Sequence, residues 1–554
     1  MMTTAVTPTS SLNPTQTLGT WTGNASSIRT SPADVRQALH DIRASVTLIH
    51  HQQQLAIATG GTIRIGDDDA SDTGSTFPLL GYAPLLSPRQ LGDPTFCADH
   101  RIDFPYMTGS MANGIASVEL VEAIAKAGML GAYGAAGQRI EVIEAAIDRL
   151  QQSVSDRTFA FNLIHSPNEP AHEMRVVELY LKRGITLVEA SAYLDLTLAV
   201  VRYRITGLRR DDDGKVIAKN RIIAKASRVE VASKWFAPPP VKMVEALVAQ
   251  GHVTREEAAL SQEIPMAQDL TAEADSGGHT DNRPFITLLP TFLALRDRLS
   301  QEHGYASRNI PLRIGIGGGI ATPASAAAAF AMGAAFIVTG SINQACAESG
   351  SSAPVRTMLA QAQQADVTMA PAADMFEMGV KLQVLKRGTM FAMRAQKLFE
   401  LYRAHDSMEA IPPAERANIE KTIFRATLDE VWQKTRDYFQ PFDPEQVAKG
   451  DRDPKHRMAL VFRWYLGLSS RWANAGDPSR TIDYQVWCGP AMGAFNEWTR
   501  GSFLEKAENR KAAIVAQNLM HGAAVLTRFA ALRSQGVRLP EEMTQVHPIE
   551  HPTI

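Results

Sequence analysis

RIGIGGGIATPASAAAAFAMGAAFIVTGS, Arg313 to Ser341, reads as a strand, a glycine-rich loop, an alanine-rich helix and a second strand ending in Gly-Ser. The apolar runs at either end are short, while Thr322 and Pro323 open the central stretch as helix starts do. Gly315, Gly317, Gly318 and Gly319 carry no Cβ, so backbone N–H groups can approach an anion where the helix dipole also favours negative charge. Gly340 and Ser341 end the next strand in the same way. Two such loops in consecutive βα units are the recurrent phosphate site of a (β/α)8 barrel, after its seventh and eighth strands. Taken alone, GIGGGI is also consistent with a plain tight βα turn.

Upstream, the same alternation of strand and amphipathic helix recurs. Candidate strands are FPYMTGS (104–110), MLGAYG (129–134), FAFNLI (159–164), ITLVEAS (185–191), RIIAKAS (221–227), AQDLTAE (267–273), LRIGI (312–316) and AAFIVTG (334–340). Eight βα units predict an α/β fold, a TIM barrel, with functional residues at the C-terminal ends of the strands. A doubly wound parallel sheet is the alternative topology. The spacing GxGGG imitates the dinucleotide fingerprint, but no acidic residue closes the following strand, since Phe336 to Gly340 contains none. A mononucleotide phosphate fits better. Within the fifth unit, VRYRITGLRRDDDGKVIAKNRIIA reads as two strands joined by a turn at Asp211–Gly214.

The flanks read differently. Residues 1–28, beginning MMTTAVTPTSSLNPTQT, predict a disordered tail without the basic-then-apolar order of a signal peptide. Residues 29–100 predict a small α+β cap, 101–350 the barrel, and 351–554 a helical appendage containing IPPAERANIEKTIFRATLDEVWQKTRDYF and AENRKAAIVAQNLMHGAAVLTRFAALR. With 554 residues, 45% of them hydrophobic, the chain can bury a large core and accessory layers. A net charge of −2 with no dense basic stripe argues against nucleic acid as partner. Cys97, Cys346 and Cys488 lack CxxC or CxH spacing, which predicts neither disulfides nor a metal site. The most apolar run, Ala326 to Val338, is too short to span a bilayer. A cytoplasmic protein is expected.

One titratable group stands out by position. His279 lies in DSGGHTDNRP, Asp275 to Pro284, a few residues past the sixth strand and so on the rim that carries the phosphate loops. Gly277 and Gly278 beside it let backbone pass close to a flat ring. The chain has 14 histidines, so placement rather than residue type singles this one out for proton transfer.

DSGGH resembles the (E)AGGH signature of the nitronate monooxygenase and flavin-dependent enoyl reductase superfamily, with Asp275 where Glu is usual and Asp281 where many have Gly. PYMTGSMANGIAS, FAFNLI, IGIGGGIATP and VTGS extend the resemblance along the barrel. Beyond it, APAADMFEMGVKLQVLKRGTMFAMRAQKLFELY and WCGPAMGAFNEW resemble the PfaD-type trans-acting enoyl reductases of polyunsaturated fatty acid and polyketide synthases.

That resemblance implies an FMN enzyme reducing 2-enoyl thioesters on an acyl carrier protein with NADPH, His279 being catalytic. It implies that Met111, Ala112, Asn113, Ser276, Gly277 and Gly278 line the ring and that Asn162 and Lys225 meet its polar edge. Lys225 reads equally as a solvated strand-end lysine. Gly317, Gly318, Gly319, Gly340 and Ser341 would hold the phosphate. Lys386 and Arg387 in KLQVLKRG would meet an acidic carrier or its tether, or simply answer the dipole of their own helix end. Trp487 and Trp498 are expected to pack helices, and Cys346 to be a packed thiol. A homodimer is implied by analogy alone. A nitronate monooxygenase and a non-catalytic docking component of a synthase are the competing readings.

Overall fold

Eight parallel strands close in chain order: Tyr106–Thr108, Leu130–Tyr133, Phe159–Ile164, Leu187–Ser191, Arg221–Ala226, Asp269–Glu273, Arg313–Gly317 and Ile337–Thr339. Ile337 pairs in parallel with Tyr106 and completes the ring, which excludes the doubly wound alternative. The structure, a computed structural model, describes residues 17–66, 75–166, 170–441 and 443–552, so residues 1–16 of the expected tail lie outside the described residues. Parallel strands covered on both faces need apolar side chains throughout, and Leu130–Tyr133 and Ile337–Thr339 are buried at every position. Closure also leaves no sheet edge to protect.

The turn expected in the fifth unit joins Arg209–Arg210 to Val216–Ile217. VRYRI, however, is not a strand but the end of helix Leu198–Ile205. Thr197 caps that helix by accepting from the Val200 N–H at 3.2 Å, and Val200, Val201, Tyr203 and Ile205 are all buried. Burial and capping here override β-branched propensity.

The N-terminal end of the barrel is plugged by helix Pro94–His100, with Phe96 stacked on Phe336 at 4.1 Å between ring centroids. Asp269 opens the sixth strand and Arg313 the seventh, and they pair at 2.5 Å. The same carboxylate meets His100 Nε2 at 2.8 Å, and Arg313 reaches Asp99 at 2.7 Å. Burial alone would raise the Asp269 carboxyl, but Arg313 and His100 hold it well below the usual carboxylate range. Burial keeps His100 from protonating at its ordinary pH.

Two compact units emerge. The larger comprises residues 92–322 and 332–516, and the smaller comprises 1–91, 323–331 and 517–554 as far as they are described. In the larger unit, helices Phe391–Ala404, Leu428–Phe439 and Pro454–Ala475 bury Phe376, Leu398, Leu428, Phe462 and Tyr465 beyond the barrel. The sequence predicts helix past residue 350, yet Val367–Pro371 and Lys381–Leu385 are strands of a three-stranded sheet whose third member is Gly278–His279. In the smaller unit a six-stranded antiparallel sheet buries Trp21, Ile49, Ala56 and Leu79. Its first strand, Gly19–Gly23, occupies part of the expected tail. The Arg528 guanidinium donates to the carbonyls of Asp41 at 2.8 Å and Ala44 at 2.7 Å, which ties the last long helix to the segment that leads into the strand Val46–His51. Among the described residues no helix is long and apolar enough to cross a membrane, and no group of three metal-ligating side chains converges.

Removing one member of a buried ion pair strands its partner, so Asp269→Ala should cost about 3–5 kcal/mol in denaturant unfolding. The carboxylate's contribution exists above its unfolded-state pKa and His100 adds one present above its own, so stability should fall as pH drops below about 6.5 and more steeply below about 4. In Asp269→Ala the step near 4 should shrink.

Candidate active site

The sixth strand ends at Glu273, and the Asp275 N–H then donates to Arg283 O at 2.9 Å, closing a loop with His279 near its apex. Gly278, at φ +81°, and His279 pair antiparallel with Gln383 and Leu382. The buried Gln383 amide donates to Asp275 Oδ1 and to Ser276 O, both at 2.8 Å, which fixes the register. Farther along the same edge, the Leu385 N–H donates to Val486 O at 2.8 Å and Val384 bridges to Trp487. Trp487 thus extends a strand edge and, as expected, also packs against the helical core beyond the barrel. Gly277 lies against that segment so closely that a Cβ would come within 2.8 Å of Cys488 N. Its small size therefore answers a protein contact.

His279 Nε2 meets Asp374 Oδ1 at 3.1 Å, and the imidazole remains 37% exposed. Burial lowers the imidazole pKa, but the Asp374 hydrogen bond and the charges of Asp374 and Glu273 outweigh it and raise the pKa above its ordinary value. Burial likewise works to raise the Asp374 carboxyl, and contact with His279 brings it below its usual range. The pair can hold a proton near neutral pH and deliver it at one place. Asp374 lies in AADMF on the connection between the two outer strands, with no motif around it to mark it in the sequence.

The rim also offers an anion cradle. Gly318 and Gly319 adopt φ of +85° and +74°, and a Cβ on Gly318 would sit 2.6 Å from the Ala274 carbonyl. Among the described residues, no protein acceptor takes the N–H groups of Gly319, Gly340 or Ser341. A Cβ on Gly340 would meet nothing within 4 Å. Ser341 Oγ accepts from the Gly489 N–H at 3.1 Å and keeps its own proton to donate. The buried Ser276 Oγ has no hydrogen-bond partner. Free donors on glycine backbone and an orphaned hydroxyl fit the phosphate and polar edge of a mononucleotide. Gly317 is buried within the seventh strand against Thr271 and Val338, behind this loop.

Other expected contacts are engaged within the protein. Lys225 is no solitary cation, for its ammonium lies 2.8 Å from Glu273. Asn162 donates to Glu189 O at 3.1 Å and Ser191 Oγ at 2.9 Å, linking the third strand to the fourth. Met111, Ala112 and Asn113 form the half-buried loop after the first strand. Asn113, at φ +58°, donates to Ser470 Oγ at 3.3 Å. The loop is anchored by Glu189, whose Oε2 accepts from the Ser110 N–H at 2.6 Å and from the Ser110 hydroxyl. Lys386 and Arg387 follow a strand rather than ending a helix, and Arg387 pairs loosely with Asp366 at 3.4 Å. Cys346 is a buried thiol, pushed up by burial as expected. Trp498 stacks edge-on with Phe495 at 5.7 Å.

Residues 95–414 match the nitronate monooxygenase family, and residues 405–484 match the inserted helical domain of [acyl-carrier-protein] S-malonyltransferase. A polyunsaturated fatty acid synthase protein of a Thraustochytrium species is 48% identical over 82% of this chain and 31% of its own length. Polyketide biosynthesis protein PksE of Bacillus subtilis is 40% identical over 80% of this chain and 57% of its own. The chain thus spans only part of these curated relatives. Among solved structures, the enoyl reductase domain of MlnA, from the macrolactin biosynthesis cluster of Bacillus amyloliquefaciens, aligns with a TM-score of 0.76 and 37% identity. The alignment covers 80% of this chain and 99% of that one.

Because Asp374 outweighs desolvation at His279, Asp374→Asn should lower the imidazole pKa. NMR titration of the His279 ring against pH checks it, and an unmoved midpoint would show the carboxylate to be irrelevant.

Proposed function

The chain belongs to the nitronate monooxygenase family, and from that premise we propose that it is an FMN-dependent enoyl reductase, acting with NADPH on 2-enoyl thioesters borne by an acyl carrier protein. The observation that carries the reading is the His279–Asp374 pair on the rim that also bears the two glycine loops. Similarity to the enoyl reductase domain of MlnA supports it, as do relatives named for polyunsaturated fatty acid and polyketide synthesis. The match of residues 405–484 to the inserted helical domain of an acyl-carrier-protein transferase supports a carrier-bound substrate.

Reducing a 2-enoyl thioester requires a hydride at the β-carbon and a proton at the α-carbon, with negative charge on the thioester oxygen between the two events. Bound FMN, reduced by NADPH, would supply the hydride. Gly318, Gly319, Gly340 and Ser341 would hold its phosphate, with Gly317 behind them. Met111, Ala112, Ser276 and Gly278 would lie beside its ring. Gly277 and Asn113 act through the segments they pin, and Asn162 through the strand ends it ties. Lys225, balanced by Glu273, contributes an oriented dipole rather than a full positive charge. His279 donates a hydrogen bond to the developing enolate and then its proton to the α-carbon. Asp374 orients the ring and keeps it protonated to higher pH.

His279→Ala should retain bound flavin and lose about 10²–10⁴-fold in kcat, the usual worth of a positioned acid. Unchanged steady-state NADPH turnover would remove His279 from the mechanism.

The nitronate reading is favoured by the family match itself and gives a different answer in one anaerobic experiment. Flavin absorbance should bleach with NADPH and return on adding a crotonyl-type thioester. No recovery with the thioester, together with anaerobic bleaching of the oxidised flavin by a nitronate, would support oxidation instead, and a colourless protein that binds no FMN would support a docking role without catalysis.

A further inference from the structure

A second feature of the same rim is taken up by none of these roles. Between the starts of helices Val229–Phe236 and Phe285–Glu302, which pack against each other, lies an open cleft of about 460 Å³. Its lining includes Ser227, Arg228, Val229, Glu230, Arg283 and Thr287. One wall continues the His279 loop, since Asp281 accepts from Ser227 Oγ at 2.6 Å and grips Arg228 at 2.9 and 3.0 Å. Arg228 is thereby neutralised and fixed. Arg283 is exposed and, among the described residues, has no ion-pair or side-chain hydrogen-bond partner.

The surroundings are amphipathic. Leu194, Val229 and Ile286 are large apolar side chains 53%, 38% and 58% exposed, each in a segment that follows a barrel strand at this end. The Thr287 and Thr291 hydroxyls donate to the carbonyls of Pro284 at 3.1 Å and Thr287 at 2.9 Å. The Arg283 guanidinium, which feels the Asp281 charge but makes no side-chain hydrogen bond among the described residues, is therefore the donor left for a ligand that is part phosphate and part uncharged organic chain, with exposed Val229 beside it.

We propose that this cleft binds a phosphate carried on an organic chain, with Arg283 as its cation. Resting on the enoyl-reductase reading, two compounds bring that chemistry to this rim: the phosphopantetheine tether of the thioester and the 2′-phosphate of NADPH. Glu230 is the one acid in the lining and limits affinity.

Anaerobic calorimetric titration of the flavin-loaded protein, its flavin already reduced with dithionite, tests this by binding, without turnover, using four probes: phosphopantetheine, pantetheine, NADPH and NADH. Arg283→Gln should weaken one phosphorylated probe by about tenfold or more, a lost charge-assisted contact, and leave its phosphate-free counterpart unchanged. Loss confined to phosphopantetheine assigns the tether, and loss confined to NADPH assigns the nucleotide. Glu230→Gln should tighten the same probe, and thermal unfolding should show both variants intact. Equal effects on phosphorylated and phosphate-free probes, or no effect on either pair, would overturn the proposal. Should enoyl reduction itself fail while Arg283→Gln still discriminates, the cleft stands and the assigned reaction falls.

Discussion

The two-residue pairing of Gly278–His279 with Leu382–Gln383 is the constraint on which the active rim depends. A ladder this short is unstable by itself. It persists because Gln383 is buried and must find partners, which it does on Asp275 and Ser276, and because Val367–Pro371 completes the sheet on the other side. Leaving a buried amide unpaired costs about 1–3 kcal/mol, so a slipped register is penalised at once. The histidine loop, which two glycines would otherwise leave loose, is held by a segment about a hundred residues away. Gly277 then follows as a necessity, because any larger residue would push the loop off Cys488.

The sixth strand carries opposite duties at its two ends. Asp269 at its start is sealed into the plug with Arg313 and His100, whereas Glu273 at its end meets Lys225 in the open rim. Five residues of strand separate them by roughly 13 Å. Burial opposes the Lys225 charge, but Glu273 and Glu189 raise its pKa, and desolvation raises that of Glu189 against the pull of Lys225 and Ser110. Stability is thus invested at one face and adjustable charge at the other, the usual division of a (β/α)8 barrel.

Much of this is readable from the sequence, and the departures share a cause. The eight strands, the glycine loops and the rim position of His279 follow from local periodicity and backbone chemistry. VRYRI departs from its pattern because its burial against the barrel overrides its β-branched character. Val367–Pro371 and Lys381–Leu385 escape a local reading because their partners are nonlocal. Asp374 and Gln383 gain meaning only once that sheet exists, and Lys225 only once Glu273 stands beside it. The last long helix looks like part of the appendage because nothing in its own pattern reports that Arg528 satisfies carbonyls near residue 41.

Asp374 belongs to the connection between the two outer strands, so the orientation and the acidity of His279 are set by one structural event. If the outer sheet opens, the ring loses both the hydrogen bond that points it and the charge that keeps it protonated, while desolvation, which favours the neutral form, is relieved as well. A histidine kept protonated only by general surroundings would survive such a movement. One kept protonated by a single carboxylate on a separate segment does not. The segment that carries Asp374, beyond the plain barrel, is therefore part of what orients the His279 ring and sets its protonation.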